Sequence, residues 1–336
     1  MKRCTLLILI VLLAVAGCST PNQETDHNTS ASADSQSKET MKTELTHVAV
    51  DRESKIPPGA VKMVSATDDN PPLSYASDFM DPVPLPYPIN TAGGEDSAFI
   101  LPDGQTLYFF FTPDVSIPVE QQVLDQTTGI YISHRLNNAW TDPERVWLQD
   151  PGKLALDGCQ IVMDSEMWFC SAREGYTGLN WFRAQFNDKI GQWENRTLVE
   201  FPEQWQVGEL HIFADTLYFH SARPGGQGGL DIWMMELADD GSWLEPVNVM
   251  SVNSDRDEGW PALSPDGNEL WISKDYALWR SLNVNGQWTE PEKVISPLAG
   301  EATIDQDGNV YFTHHFYKGD KMIEADIYVA YRKIDS

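Results

Sequence analysis

The sequence predicts an all-β chain, a five-bladed β-propeller of four-stranded blades whose last blade is closed by an N-terminal strand. Three observations carry this. Short aromatic and β-branched runs recur five times, separated by turn residues such as Asp-Gly. A tryptophan opens the fourth run in four of the five repeats. The fourth run missing at the C-terminal end has its counterpart before the first repeat.

Taken in order, the first strands end in turns at LPDG (101–104), MDS (163–165), FADT (213–216), SPDG (264–267) and DQDG (305–308). Second strands follow as TLYFFF, EMWFCS, TLYFHS, ELWISK and NVYFTH, and third strands as GIYISHR, LNWFRAQ, LDIWMME, YALWRSL and ADIYVAY. Fourth strands open at Trp140, Trp193, Trp243 and Trp288. The segment FMDPVPLPYPIN (79–90) matches WLEPVNVMSVN (243–253) and supplies the missing outer strand. Its prolines suit an edge, where no amide donor is required. An open sheet or sandwich would leave these edges unpaired and is the weaker reading.

The stretch FHSARPGGQGGLDIW (219–233) has the glycines of a phosphate loop, but it joins two strands instead of opening a helix. SPDGNELWIS and SARPGGQGGLDIW resemble the PD40, or WD40-like, β-propeller repeat of TolB-like bacterial envelope proteins. The resemblance covers about residues 79–334 and implies a fold that hosts many unrelated activities.

Residues 1–17 combine Lys2 and Arg3, an apolar run and small residues before a cysteine, the pattern of an export signal. VAGC (15–18) resembles the bacterial lipoprotein lipobox, which implies cleavage before Cys18 and its lipidation. Ser19 after it implies the outer membrane of a Gram-negative envelope. Residues 18–58, rich in Ser, Thr, Asp and Glu, read as a flexible tether, and 59–336 as the propeller.

A net charge of −27, from 50 acidic and 23 basic residues, disfavours nucleic acid and anionic lipid surfaces. The expected partner is a glycan or an envelope protein, with membrane contact only through the anchor and a monomeric chain. No cofactor motif or metal-ligand spacing is evident; Ca2+ is left open. Cys159 and Cys170 face each other if residues 161–168 form a hairpin, so a disulfide and two buried thiols both remain open.

In a propeller the inner strands line a central channel and begin at its mouth. Acids stand near those starts: Asp96, Asp157, Glu209, Glu258 and Glu301. Arg173 and Arg223 come from second-strand ends, and His211 and Trp260 lie just inside their inner strands. Each has a plain structural reading, the acids and arginines pairing to lock adjacent blades. As a group they describe a concave ligand site. The expected function is non-catalytic binding of a glycan, peptide or protein at this mouth. The alternative is a glycoside hydrolase, with Asp96 as base, Asp157 as modulator and Glu209 as acid; Trp181 and Tyr176 would wall a sugar subsite.

Overall fold

The computed structural model describes residue 47 and residues 49–334. The signal segment, Cys18 and the tether up to residue 46 lie outside the described residues. Two short strands come first, β1 (Leu73–Ser74) and β2 (Val83–Pro84). The first repeat gives β3 (Gly94–Ile100), β4 (Thr106–Thr112), β5 (Gly129–Leu136), β6 (Ala139–Trp140) and β7 (Glu144–Arg145). The second gives β8 (Ala155–Met163), β9 (Glu166–Arg173), β10 (Asn180–Asn187) and β11 (Gln192–Val199). The third gives β12 (Leu210–Phe213), β13 (Thr216–Ser221), β14 (Asp231–Glu236) and β15 (Val247–Asn248). The fourth gives β16 (Glu258–Leu263), β17 (Glu269–Lys274), β18 (Ala277–Val284), β19 (Gln287–Trp288) and β20 (Glu292–Ser296). The fifth gives β21 (Ala299–Ile304), β22 (Val310–Lys318) and β23 (Lys321–Ala330).

Neighbours in each repeat pair antiparallel, as their short turns demand. The second and third repeats are separate four-stranded sheets, and the fourth gains β1 beyond β20. The first and fifth repeats share one sheet through a single parallel pairing, Ala325 with Gly94. The segment 79–90 does lie on the C-terminal repeat: Val83 pairs with Val329, Pro84 with Tyr328, and Phe79 bridges to Arg332. The outer strands are short or interrupted where proline removes a donor, as between β6 and β7 at Pro143.

The strands bury both faces. In β4, Leu107, Phe109 and Phe111 on one face are fully buried, and Tyr108 between them is nearly so. A strand of this kind sits between neighbouring sheets, and each such side chain contributes roughly 1.5–3 kcal/mol on burial. The largest apolar cluster runs across the first three repeats through Ile130, Ile161, Phe169, Phe182, Leu217 and Trp233.

Two local features differ from the sequence reading. Four inner strands carry a bulge, where pairing slips between Asp96 and Phe99, Gly158 and Ile161, Gly259 and Ala262, and Gly300 and Thr303. The bulged residues Ser97, Cys159, Trp260 and Glu301 all take φ between 49° and 56°. This places Gly158, not Cys159, opposite Cys170. The two cysteines are nevertheless bridged, with Cα atoms 5.4 Å apart. Residues 52–68, read partly as tether, also pack on the domain. Arg52 is buried and donates to Glu95 Oε1 at 3.0 Å and to the Ile89 carbonyl at 2.9 Å.

Candidate functional site

One cavity is lined by three consecutive residues from each of the five repeats: 97–99, 159–161, 209–211, 260–262 and 301–303. The bulges explain which side chains reach it. An extra residue in one strand re-aims the side chain at that point. Ser97, Cys159, Trp260 and Glu301 are those residues, and Glu209, just ahead of β12, lies in the matching place of the third repeat. A positive φ at tryptophan is a strained choice that the surrounding sheet has to enforce.

The predicted acids divide into two groups. Asp157 and Glu258 are fully buried and do not line this cavity, which corrects their assignment to an open mouth. Asp157 Oδ1 accepts from Arg173 Nη2 at 2.7 Å and from the Ser171 hydroxyl at 2.6 Å. Glu258 faces Lys274 at 2.9 Å and accepts the Ser254 amide at 3.1 Å. Glu95 takes the same role in the first repeat, with Arg52 as its cation. These carboxylates lock inner strands to their neighbours. The arginines follow: Arg173 also covers the ring of Phe182, and Arg223 pairs with Glu245 at 2.7 Å over Trp233. Arg173 is thereby taken up within its own repeat, whereas Arg223 keeps Nε and Nη1 without a hydrogen-bond partner among the described residues.

The second group is Asp96, Glu209 and Glu301, and none of the three forms an ion pair among the described residues. Glu209 and Glu301 line the cavity, with Asp96 close enough for its charge to act on both. Burial pushes Glu209 up to about 7; the Trp260 indole N–H opposes the rise and the Asp96 charge adds to it. Glu301 is held well above the usual carboxylate range by burial, then by Asp96 and Glu209. The Ser97 hydroxyl donates to Glu301 Oε2 at 2.5 Å and offsets part of this. At neutral pH, then, Glu209 is divided between its two forms, and Glu301 holds its proton more tightly than an exposed carboxyl does.

His211 lines the same cavity, and burial lowers it to about 4, so it is neutral there. His220, from the end of β13, lies behind the wall as a buried neutral ring, also lowered to about 4 by burial. Trp260 is nine-tenths buried, and its Nε1 makes no hydrogen bond of normal length among the described residues. Trp181, expected to wall a sugar subsite, is buried, whereas Tyr176 is half-exposed above Phe182. The cavity measures about 60 Å³. That holds a few water molecules and is far below the roughly 300–1,000 Å³ of a small-molecule pocket. Among the described residues, no three His, Cys, Asp or Glu side chains are grouped to hold a metal ion.

No family model matches the chain, and no curated protein matches it by sequence. Solved structures similar to it include an α-L-arabinofuranosidase from Lactobacillus brevis, with 13% identity, a TM-score of 0.49, and 75% of this chain and 94% of that one aligned. An endo-arabinase from Bacteroides thetaiotaomicron gives 11% identity and a TM-score of 0.46 over 76% of this chain and 95% of that one. A TolB-like protein from Agrobacterium tumefaciens gives 14% and 0.40 over 75% and 78%. Similarity at this level assigns no activity.

Proposed function

We propose that the five repeats close into a five-bladed propeller of the PD40 type, carried on a lipidated Cys18 in the outer membrane of a bacterial envelope. On this reading it is a monomeric receptor that binds a glycan, peptide or protein partner at the channel mouth and does not turn it over. The observation that carries the non-catalytic reading is the constriction to about 60 Å³ behind the mouth, which leaves no room for a sugar ring between the channel carboxylates. Thermal melting of the mature chain against oligosaccharides, cell-wall peptides and Ca2+, with each ligand recovered for mass analysis, tests it. Stabilisation by a ligand recovered intact supports the receptor; a ligand recovered cleaved overturns it.

A second reading, a glycoside hydrolase, is favoured by one specific observation. Among the described residues Asp96 and Glu209 have no basic partner, and Glu209 titrates near neutrality as a general acid requires. Asp157 drops out of this mechanism, since Arg173 already holds it. On this reading Glu209→Gln abolishes turnover and preserves ligand-induced stabilisation.

A further inference from the structure

A larger cavity lies elsewhere, and it is independent of what the mouth binds. Residues 53–65 run over the end of the fifth repeat where β23 begins. Between them, residues 84–92 and β23, they enclose about 630 Å³, within the range of small-molecule sites. Its walls are largely apolar, with Ile56, Met63 and Leu85 among them, and two tyrosines line it. One of these, Tyr87, is 68% exposed and so stands where a ligand would enter.

The charges around it do not balance. Lys62 is one ammonium shared by two buried carboxylates, Glu324 at 2.5 Å and Asp326. Glu324 is further satisfied by the Met63 amide at 2.8 Å. Asp326, which lines the cavity and is 1% exposed, has no hydrogen-bond partner for Oδ1 among the described residues. Arg52 brings no surplus, because its charge is matched by Glu95, and Glu53 adds another carboxylate to the lining. With all of these groups ionised, four carboxylates face two cations there. Burial pushes Asp326 up to about 8 despite the adjoining Lys62, so at neutral pH it holds a proton that an incoming ammonium would displace.

We propose that this cavity binds an organic cation, a primary ammonium on an apolar or aromatic body, with the ammonium donating to Asp326 and the body lying along Ile56, Met63 and Leu85. An anion is repelled by the surplus carboxylates. A bare metal ion finds too few ligating groups and apolar walls. The exposed ring of Tyr87 supplies an aromatic face of the kind that attracts such cations.

The test is calorimetric titration of the mature chain with phenethylammonium and with 2-phenylethanol, its neutral counterpart. The expected result is saturable one-to-one binding of the amine, at least tenfold weaker binding of the alcohol, and a comparable loss for Asp326→Asn. Val64→Trp, at a half-exposed position in the lining, fills the cavity and abolishes binding with the melting temperature close to that of the parent. This second variant keeps the test decisive if Asp326→Asn does not fold. Equal affinity for amine and alcohol, binding unaffected by Val64→Trp, or no saturation up to ~10 mM amine, weak even for a fragment-sized ligand, overturns the proposal.

Discussion

His220 reaches from the third repeat to the fourth, where its Nδ1 lies 3.2 Å from the amide nitrogen of Trp260. Its Nε2 lies 3.3 Å from the amide of Glu209, so the ring stands between the backbones of two channel residues. A neutral imidazole offers one acceptor, and an imidazolium offers none. The fold therefore holds this ring neutral at the expense of one poorly served amide.

Acid should weaken the fold through the two buried histidines. His211 and His220 titrate near 4 in the folded chain against 6.5 when exposed. The unfolded chain binds more protons between those values, so their stability contribution is full above pH 6.5 and is lost as the pH falls to 4. Each is worth about 3 kcal/mol over that window. Urea unfolding at a series of pH values should show a falling midpoint, with a shallower fall in His211→Gln.

The channel carboxylates should act with the opposite sign. Glu209 and Glu301 have raised values, so the folded chain holds more protons than the unfolded one, and stability declines as pH rises through about 7. Removing the neighbouring charge with Asp96→Asn should move the Glu209 titration down from about 7, though not to its ordinary value, because burial remains the larger cause. Carbon-detected NMR titration of labelled glutamate reads this directly.

Breaking the buried pair at Asp157 should be costly. Asp157→Asn leaves the guanidinium of Arg173, 10% exposed, without its counter-charge, and a loss of about 3–5 kcal/mol is expected. The exposed pair Lys153 with Glu174 serves as the control: Lys153→Ala should leave the denaturation midpoint close to that of the parent. Denaturant melts of both variants check the contrast.

Arg52→Met should destabilise the domain by a similar 3–5 kcal/mol, since it strands the fully buried Glu95. A melt identical to that of the parent would mean that residue 52 contributes nothing to the fold.

Strand order and turns were legible because alternating apolar residues and Asp-Gly turns act locally; Gly104, Gly267 and Gly308 do adopt the positive φ those turns use. The bulges were not, because Ser97, Cys159, Trp260 and Glu301 are poor residues for positive φ and are held there by the sheets around them. The two classes of acid also looked alike in sequence. What separates them is the second strand: Lys274 stands across from Glu258, and Arg173, across from Ala155, reaches Asp157 with its guanidinium, while the matching inner-strand place in the third repeat is Val207 and Arg223 turns to Glu245. Reading SAR (171–173) against the inner strand of its own repeat would have flagged Asp157 as paired. Arg52, Lys62 and Asp68 were missed because ion pairs and a contact to His314, rather than apolar periodicity, hold their segment down.

The pairing of Val83 with Val329 joins positions 246 residues apart in sequence. Such a contact cannot form until almost the whole chain is available, and the loop-closure entropy it carries is met only when the intervening sheets are in place. The C-terminal sheet is therefore the last to be completed during synthesis. Until then its outer edge stays open to any extended strand nearby, so the interval before closure is when this chain is most exposed to mispairing and aggregation.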